Sequence, residues 1–216
     1  MQNKINFQKK LEETIKNLEQ REEIPRLLLH SCCAPCSSYV LEYLSNYFSI
    51  TLFYYNPNIS EEEEYQRRVL EQKTLIEKLP VKHPISFLEG RHEPKVFFDK
   101  TKGLWDLPEG GKRCFQCYEL RLRESAKVAK EKEFDFFTTT LSISPMKNAQ
   151  KLNELGKMLE EEYDIAYLYS DFKKKNGYLR STQLSKEYHL YRQDYCGCIF
   201  SKREAKERQE KQNINR

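Results

Sequence analysis

The chain has 216 residues, seven of them cysteines, and its 37 basic and 33 acidic residues leave a formal charge of +4. This length predicts one domain, and the 12% aromatic content excludes the composition typical of a disordered chain. No stretch approaches about 18 consecutive apolar residues, so no membrane span is expected. The polar N-terminus also lacks the apolar core of a secretory signal. We therefore expect a cytoplasmic protein whose thiols stay reduced.

The first half of the chain alternates between helical and strand-like patterns. Residues 4–20 have apolar side chains at helical spacing, and the apolar run at 26–30 is typical of a buried parallel strand. Ser37 or Ser38 is then expected to cap a helix that ends near residue 48. A second strand is expected at 50–55. Ser60 and Glu63 form a capping box that predicts a long helix to about residue 79.

The second half continues the alternation. A weaker strand is expected at 83–89, and a loop rich in glycine and proline separates it from a helix at 115–131. A strand at 134–140, a helix at 147–162 and a strand at 165–169 follow, and the remainder is expected to be helix and loop.

This alternation predicts the α/β class: a Rossmann-like parallel sheet flanked by helices. We expect a single catalytic domain over residues 1–216, with an N-terminal helix within 1–25 and a basic tail at 202–216. Ligands of such sheets bind beyond the carboxyl ends of the strands. Four loops that follow predicted strands should therefore converge on one face. These loops contain Cys32 to Cys36, Asn56 to Asn58, Ser142 to Pro145, and Asp171.

Five cysteines form two clusters with the spacing of metal ligands. Cys33 pairs with Cys36 and Cys114 with Cys117, each with two residues between, and four thiolates suit either a tetrahedral zinc ion or a [4Fe–4S] cluster. The long separation of the pairs favours an active-site centre over a compact zinc module. Cys32 is a fifth thiol. It is interpreted as a ligand of a second metal, as a redox group or as a small buried side chain.

Other candidate residues leave more than one interpretation open. Cys196 and Cys198 flank a glycine and suit a labile disulfide, a further metal-binding element or two buried thiols. Asp171 is a candidate acid or oxygen ligand, or a helix cap. A basic stretch suits either nucleic acid or a solvated loop, and it comprises Lys173, Lys174, Lys175 and Arg180.

Several motifs together resemble one family. They are His30-Ser-Cys-Cys-Ala-Pro-Cys36, Asn56-Pro-Asn-Ile59, Arg113-Cys-Phe-Gln-Cys-Tyr118, Thr138-Thr-Thr-Leu-Ser-Ile-Ser-Pro145, Ser170-Asp-Phe-Lys173 and Tyr191-Arg-Gln-Asp-Tyr-Cys-Gly-Cys198. As a set they resemble the cobalamin-independent epoxyqueuosine reductases, the QueH family, over about residues 26–201.

The resemblance implies reduction of epoxyqueuosine to queuosine at the wobble position of tRNA, the last step of queuosine biosynthesis. It also implies a fold related to the nucleotide α-hydrolases, a [4Fe–4S] cluster, an adjacent mononuclear iron and an electron donor that the sequence does not identify. The residues assigned to the cluster are Cys33, Cys36, Cys114 and Cys117. The extra iron is assigned to Cys32 and a carboxylate, with Asp171 preferred to Glu109. Cys196 and Cys198 are expected to be a redox pair, and tRNA contacts are assigned to Lys147, Lys173, Lys174, Lys175 and Arg180.

Two other functions remain as alternatives. An ATP-dependent tRNA-modifying ligase on the same fold would need a glycine-rich phosphate loop after the first strand, where this chain has Cys-Cys-Ala-Pro-Cys. A zinc-stabilised tRNA-binding protein would be colourless, whereas an iron–sulfur protein would be brown.

Overall fold

A computed structural model describes residues 5–214. The predicted helix start at residue 4 and the last two residues of the predicted tail lie outside this range. The strands are β1 (Arg26–His30), β2 (Ser49–Tyr54), β3 (Ser86–Glu89), β4 (Phe136–Thr139) and β5 (Ala166–Tyr167). The helices are α1 (Phe7–Arg21), α2 (Ala34–Leu44), α3 (Glu62–Lys78), α4 (Pro94–Lys100), α5 (Lys112–Glu131), α6 (Ala149–Tyr163), α7 (Gly177–Glu187) and α8 (Ile199–Ile214), with a 3₁₀ helix at Thr140–Ile143.

The five strands form one parallel sheet in the order β3-β2-β1-β4-β5. Leu29 in β1 pairs with Leu52 of β2 on one side and with Thr138 of β4 on the other. The predicted Rossmann-like α/β fold is therefore confirmed. No helix in the part of the chain that the structure describes is long and apolar enough to cross a membrane.

The strand order creates a crevice beside β1. The chain moves outward from β1 through β2 to β3 and then returns to the other side of β1 to form β4 and β5. The connections that leave β1 and β4 consequently run to opposite sides, which separates them at the carboxyl edge of the sheet. Cys32 follows β1 and Thr140 follows β4, and Cys32 Sγ lies 3.9 Å from Thr140 Oγ1.

Alternating side chains of the strands divide the core into two layers. Leu27 and Leu29 of β1 pack with α1, α2 and α3, whereas Leu28 packs with α5 and α6 on the opposite face. All three leucines are completely buried. Because both faces of the sheet are covered, Leu27 to Leu29 of its central strand form an uninterrupted apolar run, as is usual in parallel sheets.

The predicted N-caps of two helices are wrong. Helix α2 begins at Ala34 with Cys33 as its N-cap, so Ser37 and Ser38 lie inside the helix. Pro35 explains this difference, because its fixed φ and missing N–H suit the first helical turn. Helix α3 begins at Glu62 after Glu61, and the predicted capping box of Ser60 is wrong. Three glutamates in its first turn instead interact favourably with the helix dipole.

Candidate metal and redox site

Three thiols meet at the carboxyl end of β1. Cys32 lies in the loop, Cys33 caps α2 and Cys36 lies in the first turn of that helix. Their three Sγ atoms all lie within 4.8 Å of one another, and Cys32 Sγ is 3.7 Å from Cys33 Sγ. A tetrahedral ion with metal–sulfur bonds of about 2.3 Å places its sulfur ligands about 3.8 Å apart. The thiol group Cys32, Cys33 and Cys36 therefore suits a metal ion.

Polar side chains hold the loop that carries these thiols. Gln72 of α3 accepts hydrogen bonds from the hydroxyls of Ser31 and Ser37, at 2.9 and 2.8 Å. Asn56, which follows β2, donates its amide to the Ser31 carbonyl at 2.8 Å. The loop is thus fixed from α3 and from the adjacent strand, which preorganises the sulfur atoms for a ligand.

His30 supports the site as a neutral ring. Its Nε2 lies 3.0 Å from the carbonyl of Tyr55, which only accepts, so Nε2 is the donor. Nδ1 then accepts the Thr139 hydroxyl at 2.8 Å. Burial, together with nearby Arg121, lowers the pKa of His30 to about 3. The ring therefore ties together the ends of β1, β2 and β4.

The three clustered thiols ionise as a unit. Hydrogen bonds from Cys33 and Cys36 hold the pKa of Cys32 well below its usual range. Hydrogen bonding to Cys32 raises the pKa of both Cys33 and Cys36. The shifts oppose one another because a charge on one sulfur disfavours ionisation of the two sulfurs beside it.

The other four cysteines surround a second, much smaller cavity. Cys114 and Cys117 lie in the first turns of α5, Cys198 directly precedes α8, and these three with Cys196 line a space of about 10 Å³. The N–H of Gly110 donates to Cys114 Sγ at 3.2 Å. Burial raises the pKa of Cys114 and Cys198, and raises that of Cys117 to about 12. All seven cysteines are free thiols.

A large cavity lies above the clustered thiols. Its volume is about 490 Å³, a size typical of a small-molecule site. Cys32, Cys33 and Cys36 line it together with apolar side chains such as Leu141 and Ile143. Cys196 lines both cavities, so the Cys-Gly-Cys segment joins the two thiol groups.

A buried ion pair lies where the two cavities meet. Lys147 Nζ is 3.0 Å from Glu109 Oε1, and their side chains are 6% and 9% exposed. Both residues line both cavities. Burial alone would lower the pKa of Lys147, but Cys196, Tyr118 and Glu109 raise it well above its usual value. Lys147, expected to contact tRNA, is thus enclosed as an ammonium beside the thiols.

Other predicted residues lie away from the thiols or in ion pairs. Asp171 does not line the large cavity, and its carboxylate accepts from Lys173 Nζ at 2.7 Å. Lys175 Nζ is 2.9 Å from Glu12. Arg180 Nε donates to Glu42 at 3.0 Å, and Lys174 is exposed.

The sequence did not reveal two arginines beside the thiols. Arg68, of α3, is 1% exposed and donates from Nη1 to the Cys196 carbonyl at 3.3 Å. Arg121, of α5, is completely buried and donates from Nε to the Cys117 carbonyl at 3.2 Å. Both arginines occur on charged amphipathic helices, where an inward position is not distinguishable from a solvated one. The one sequence signal for an inward-facing Arg121 is its spacing from Cys117. Arg121 lies one turn further along α5, so the two side chains share a face of the helix.

The cavity rim carries further residues outside the predicted basic stretch. Arg192 and Arg208 are exposed and line the large cavity. Tyr178 and Met146, also on its lining, are 41% and 61% exposed. The mouth of the cavity thus combines positive charge with an exposed aromatic ring.

A parallel α/β protein whose switch-point cavity is lined by clustered thiols belongs to the class of metal- or redox-dependent enzymes. The family model described as epoxyqueuosine reductase QueH matches residues 27–204. The chain belongs to this family, which confirms the resemblance drawn from the motifs.

Relatives that are named epoxyqueuosine reductase QueH share much of the sequence. The protein from Staphylococcus epidermidis is 44% identical over 202 residues, which cover 92% of this chain and 85% of the relative. The protein from Streptococcus pyogenes is 40% identical over 200 residues, with 92% and 78% covered. That from Thermotoga maritima is 34% identical over 188 residues, with 84% and 93% covered.

Proposed function

We propose that this chain reduces epoxyqueuosine to queuosine at the wobble position of tRNA. The observation that carries the proposal is a thiol group, Cys32, Cys33 and Cys36, at the floor of a cavity of about 490 Å³ in a chain of the QueH family. Conversion of the epoxide to an alkene removes one oxygen as water and consumes two electrons and two protons. Uncoordinated thiols in a reduced protein do not supply this chemistry easily, but a redox-active metal centre does.

The proximity of Cys32, Cys33 and Cys36 supports such a centre. Four ligands of a [4Fe–4S] cluster are proposed at Cys33, Cys36, Cys114 and Cys117, and Cys32 is proposed to hold a neighbouring iron. These groups, when bound, supply single electrons and a Lewis acid for the epoxide oxygen. Cys32 Sγ lies 3.7 Å from Cys33 Sγ, so an iron on Cys32 would lie directly beside a cluster on Cys33, and this proximity supports the proposal.

The carboxylate proposed for the iron is better supported at Glu109 than at Asp171. Glu109 lines the cavity with the three clustered thiols, whereas Asp171 is paired with Lys173 outside the cavity lining. Lys147 holds Glu109 in place at the cavity wall, and its raised pKa keeps it an ammonium there.

The rest of the cavity positions and shields the base. Leu141, Ile143 and Pro35 provide apolar walls that exclude water from the reacting carbon atoms. Tyr178 at the rim offers a ring on which a base of the anticodon loop stacks. Arg192 and Arg208 are proposed to neutralise phosphates beside the mouth, in addition to the predicted Lys173, Lys174, Lys175 and Arg180.

An activity assay tests the proposal. Anaerobically iron-loaded protein is incubated with epoxyqueuosine-containing tRNA and a chemical reductant, and the digested nucleosides are examined by mass spectrometry. We expect loss of one oxygen atom from the modified nucleoside, and no loss with iron-depleted protein. Protein that binds one zinc ion and no iron would contradict the proposal and favour a zinc-stabilised tRNA-binding protein.

The cellular setting remains a prediction. The cytoplasm is proposed because the substrate is tRNA and the mechanism requires reduced thiols. The electron donor is proposed to be a separate reductant that transfers electrons to the thiol-lined centre. Cys196 and Cys198 are proposed as a redox pair on that route, because Cys196 lines both cavities.

A further inference from the structure

Three arginine side chains of the described chain are fully buried, at Arg68, Arg113 and Arg121. A guanidinium taken out of water requires an anionic partner, because the loss of hydration is otherwise too costly. Arg68 has Glu64 at 2.6 Å and Arg113 has Glu204 at 2.9 Å. Within residues 5–214, no carboxylate forms an ion pair with Arg121. Its charge must therefore be balanced by another group.

The surroundings of Arg121 identify that group. Its Nε donates to the Cys117 carbonyl at 3.2 Å, its Nη1 donates to Asn56 Oδ1 at 3.4 Å, and its Nη2 has no hydrogen-bond partner. Carbonyl oxygens carry partial charge only, so these bonds do not neutralise the ion. The side chain lines the small cavity together with four cysteines.

Once they bind a metal, those cysteines are thiolates, and their charge provides the missing balance. Burial alone would lower the pKa of Arg121, but Cys117, Cys196 and Cys32 raise it. These residues come from both thiol groups, so Arg121 lies within electrostatic reach of each. Glu109 also lines this cavity, but its carboxylate is paired with Lys147, which leaves the sulfur atoms to balance the guanidinium.

We infer that Arg121 is the counter-charge of the thiolate-bound metal centre and sets its reduction potential. The inference rests on the proposed function, because it needs an iron–sulfur centre on these cysteines. Net charge is one determinant of the potential of such a centre. Each electron that the centre accepts adds negative charge, and a fixed positive charge in a low-dielectric core stabilises the reduced form more than the oxidised form. Arg121 does not line the large cavity, so it acts through the metal centre and not on the substrate.

A purely structural role predicts a different behaviour. Through its two hydrogen bonds, Arg121 joins α5 to Asn56 in the loop after β2. If those bonds were its whole purpose, the forked guanidinium would matter and its charge would not. Lysine retains the charge but cannot reproduce the fork, whereas glutamine retains a donor and loses the charge.

The test compares Arg121→Gln and Arg121→Lys with the wild-type protein. The control is Arg123→Gln, which makes the same change in net charge on the same helix, where Arg123 pairs with Glu119 and Glu162 at the surface. Each protein is loaded with iron and sulfide without oxygen, and its midpoint potential is measured by following the cluster absorbance during a reductive titration. We expect Arg121→Gln to disfavour the reduced form at least tenfold, a shift of about 59 mV for one electron. Arg121→Lys and Arg123→Gln should stay close to wild type.

Each outcome decides the matter. An unchanged midpoint in Arg121→Gln at full iron content would overturn the inference. If Arg121→Gln takes up no iron, iron content replaces the potential as the readout: retention in Arg121→Lys supports the counter-charge, and loss in both variants overturns it. Wild-type protein that binds no iron would instead contradict the proposed function, so the two failures are distinguishable.

Discussion

Gly197, between Cys196 and Cys198, offers a quantitative test of how the Cys-Gly-Cys segment is held. Its φ of +115° lies in a region that other residues rarely adopt, and a Cβ there would lie 2.9 Å from Ile59 Cγ1 and 3.0 Å from Arg68 Nη1. Strained backbone costs about 1–3 kcal/mol, and overpacking a buried site costs about 1–3 kcal/mol more. Gly197→Ala should therefore lower the free energy of unfolding by at least about 2 kcal/mol.

The matched control for this variant is Gly103→Ala. Gly103 has a φ of +77°, but a Cβ at that position would meet nothing within 4 Å. The control thus carries backbone strain without a close contact of the added Cβ, and its free energy of unfolding should fall by about 1–2 kcal/mol. Both variants are compared with wild type by urea unfolding of the reduced, metal-free protein. An equal fall in the free energy of unfolding for the two variants would refute the argument that Arg68 packs against the Cys-Gly-Cys backbone.

Three further predictions address the site, the acid stability and the substrate surface. Cys32→Ser should lower iron content per chain and abolish reductase activity, because it removes one of the three clustered sulfurs; unchanged iron and unchanged activity would show that Cys32 has no such role. Glu204 has a pKa below its usual value: burial opposes this, but bonds from the Glu109 N–H and Arg113 outweigh it. The stability from this ion pair is therefore present above about pH 4.5 and is lost as the pH falls. Glu204→Gln should lower the free energy of unfolding by about 1–3 kcal/mol at neutral pH, and it should flatten the acid side of the stability profile measured by urea unfolding at a series of pH values. An unaltered acid side would contradict the pairing. Arg192→Gln should weaken tRNA binding and reduce the dependence of the logarithm of affinity on the logarithm of salt concentration by about 1. Lys175→Gln should have a smaller effect, because Lys175 already pairs with a carboxylate. The reverse order in a filter-binding titration would favour the basic stretch over the cavity rim.

The sheet and the first thiol group were predictable because their signals are local. The apolar run at 26–30 is a strand with those same bounds, and the loop after it carries the clustered cysteines to the carboxyl edge. The order β3-β2-β1-β4-β5, which sets the loops after β1 and β4 beside each other, was not predicted, because doubly wound sheets occur in more than one strand order. The start of α2 was missed by a few residues, since Pro35 outweighed the two serines that follow it.

The charges around the site were less predictable because they depend on distant pairs. Nothing near Lys147 in the sequence indicates its partner Glu109, which is 38 positions away, and the pair is enclosed by the fold. Asp171 directly precedes a lysine-rich stretch, and its carboxylate is bound by Lys173 two residues along. Local spacing carries no information on which acid faces a cavity, so the preference for Asp171 over Glu109 could not be tested by pattern alone.

Electron stoichiometry during a single turnover tests the central claim most directly. Iron-loaded protein and epoxyqueuosine-containing tRNA are mixed with limiting reductant under anaerobic conditions, and the nucleosides and the remaining reductant are quantified together. Reduction at the thiol-lined centre predicts one queuosine for every two electrons consumed, with loss of one oxygen from the nucleoside. Disappearance of the epoxide with no consumption of reductant, or with gain of a water molecule to give a diol, would contradict the account.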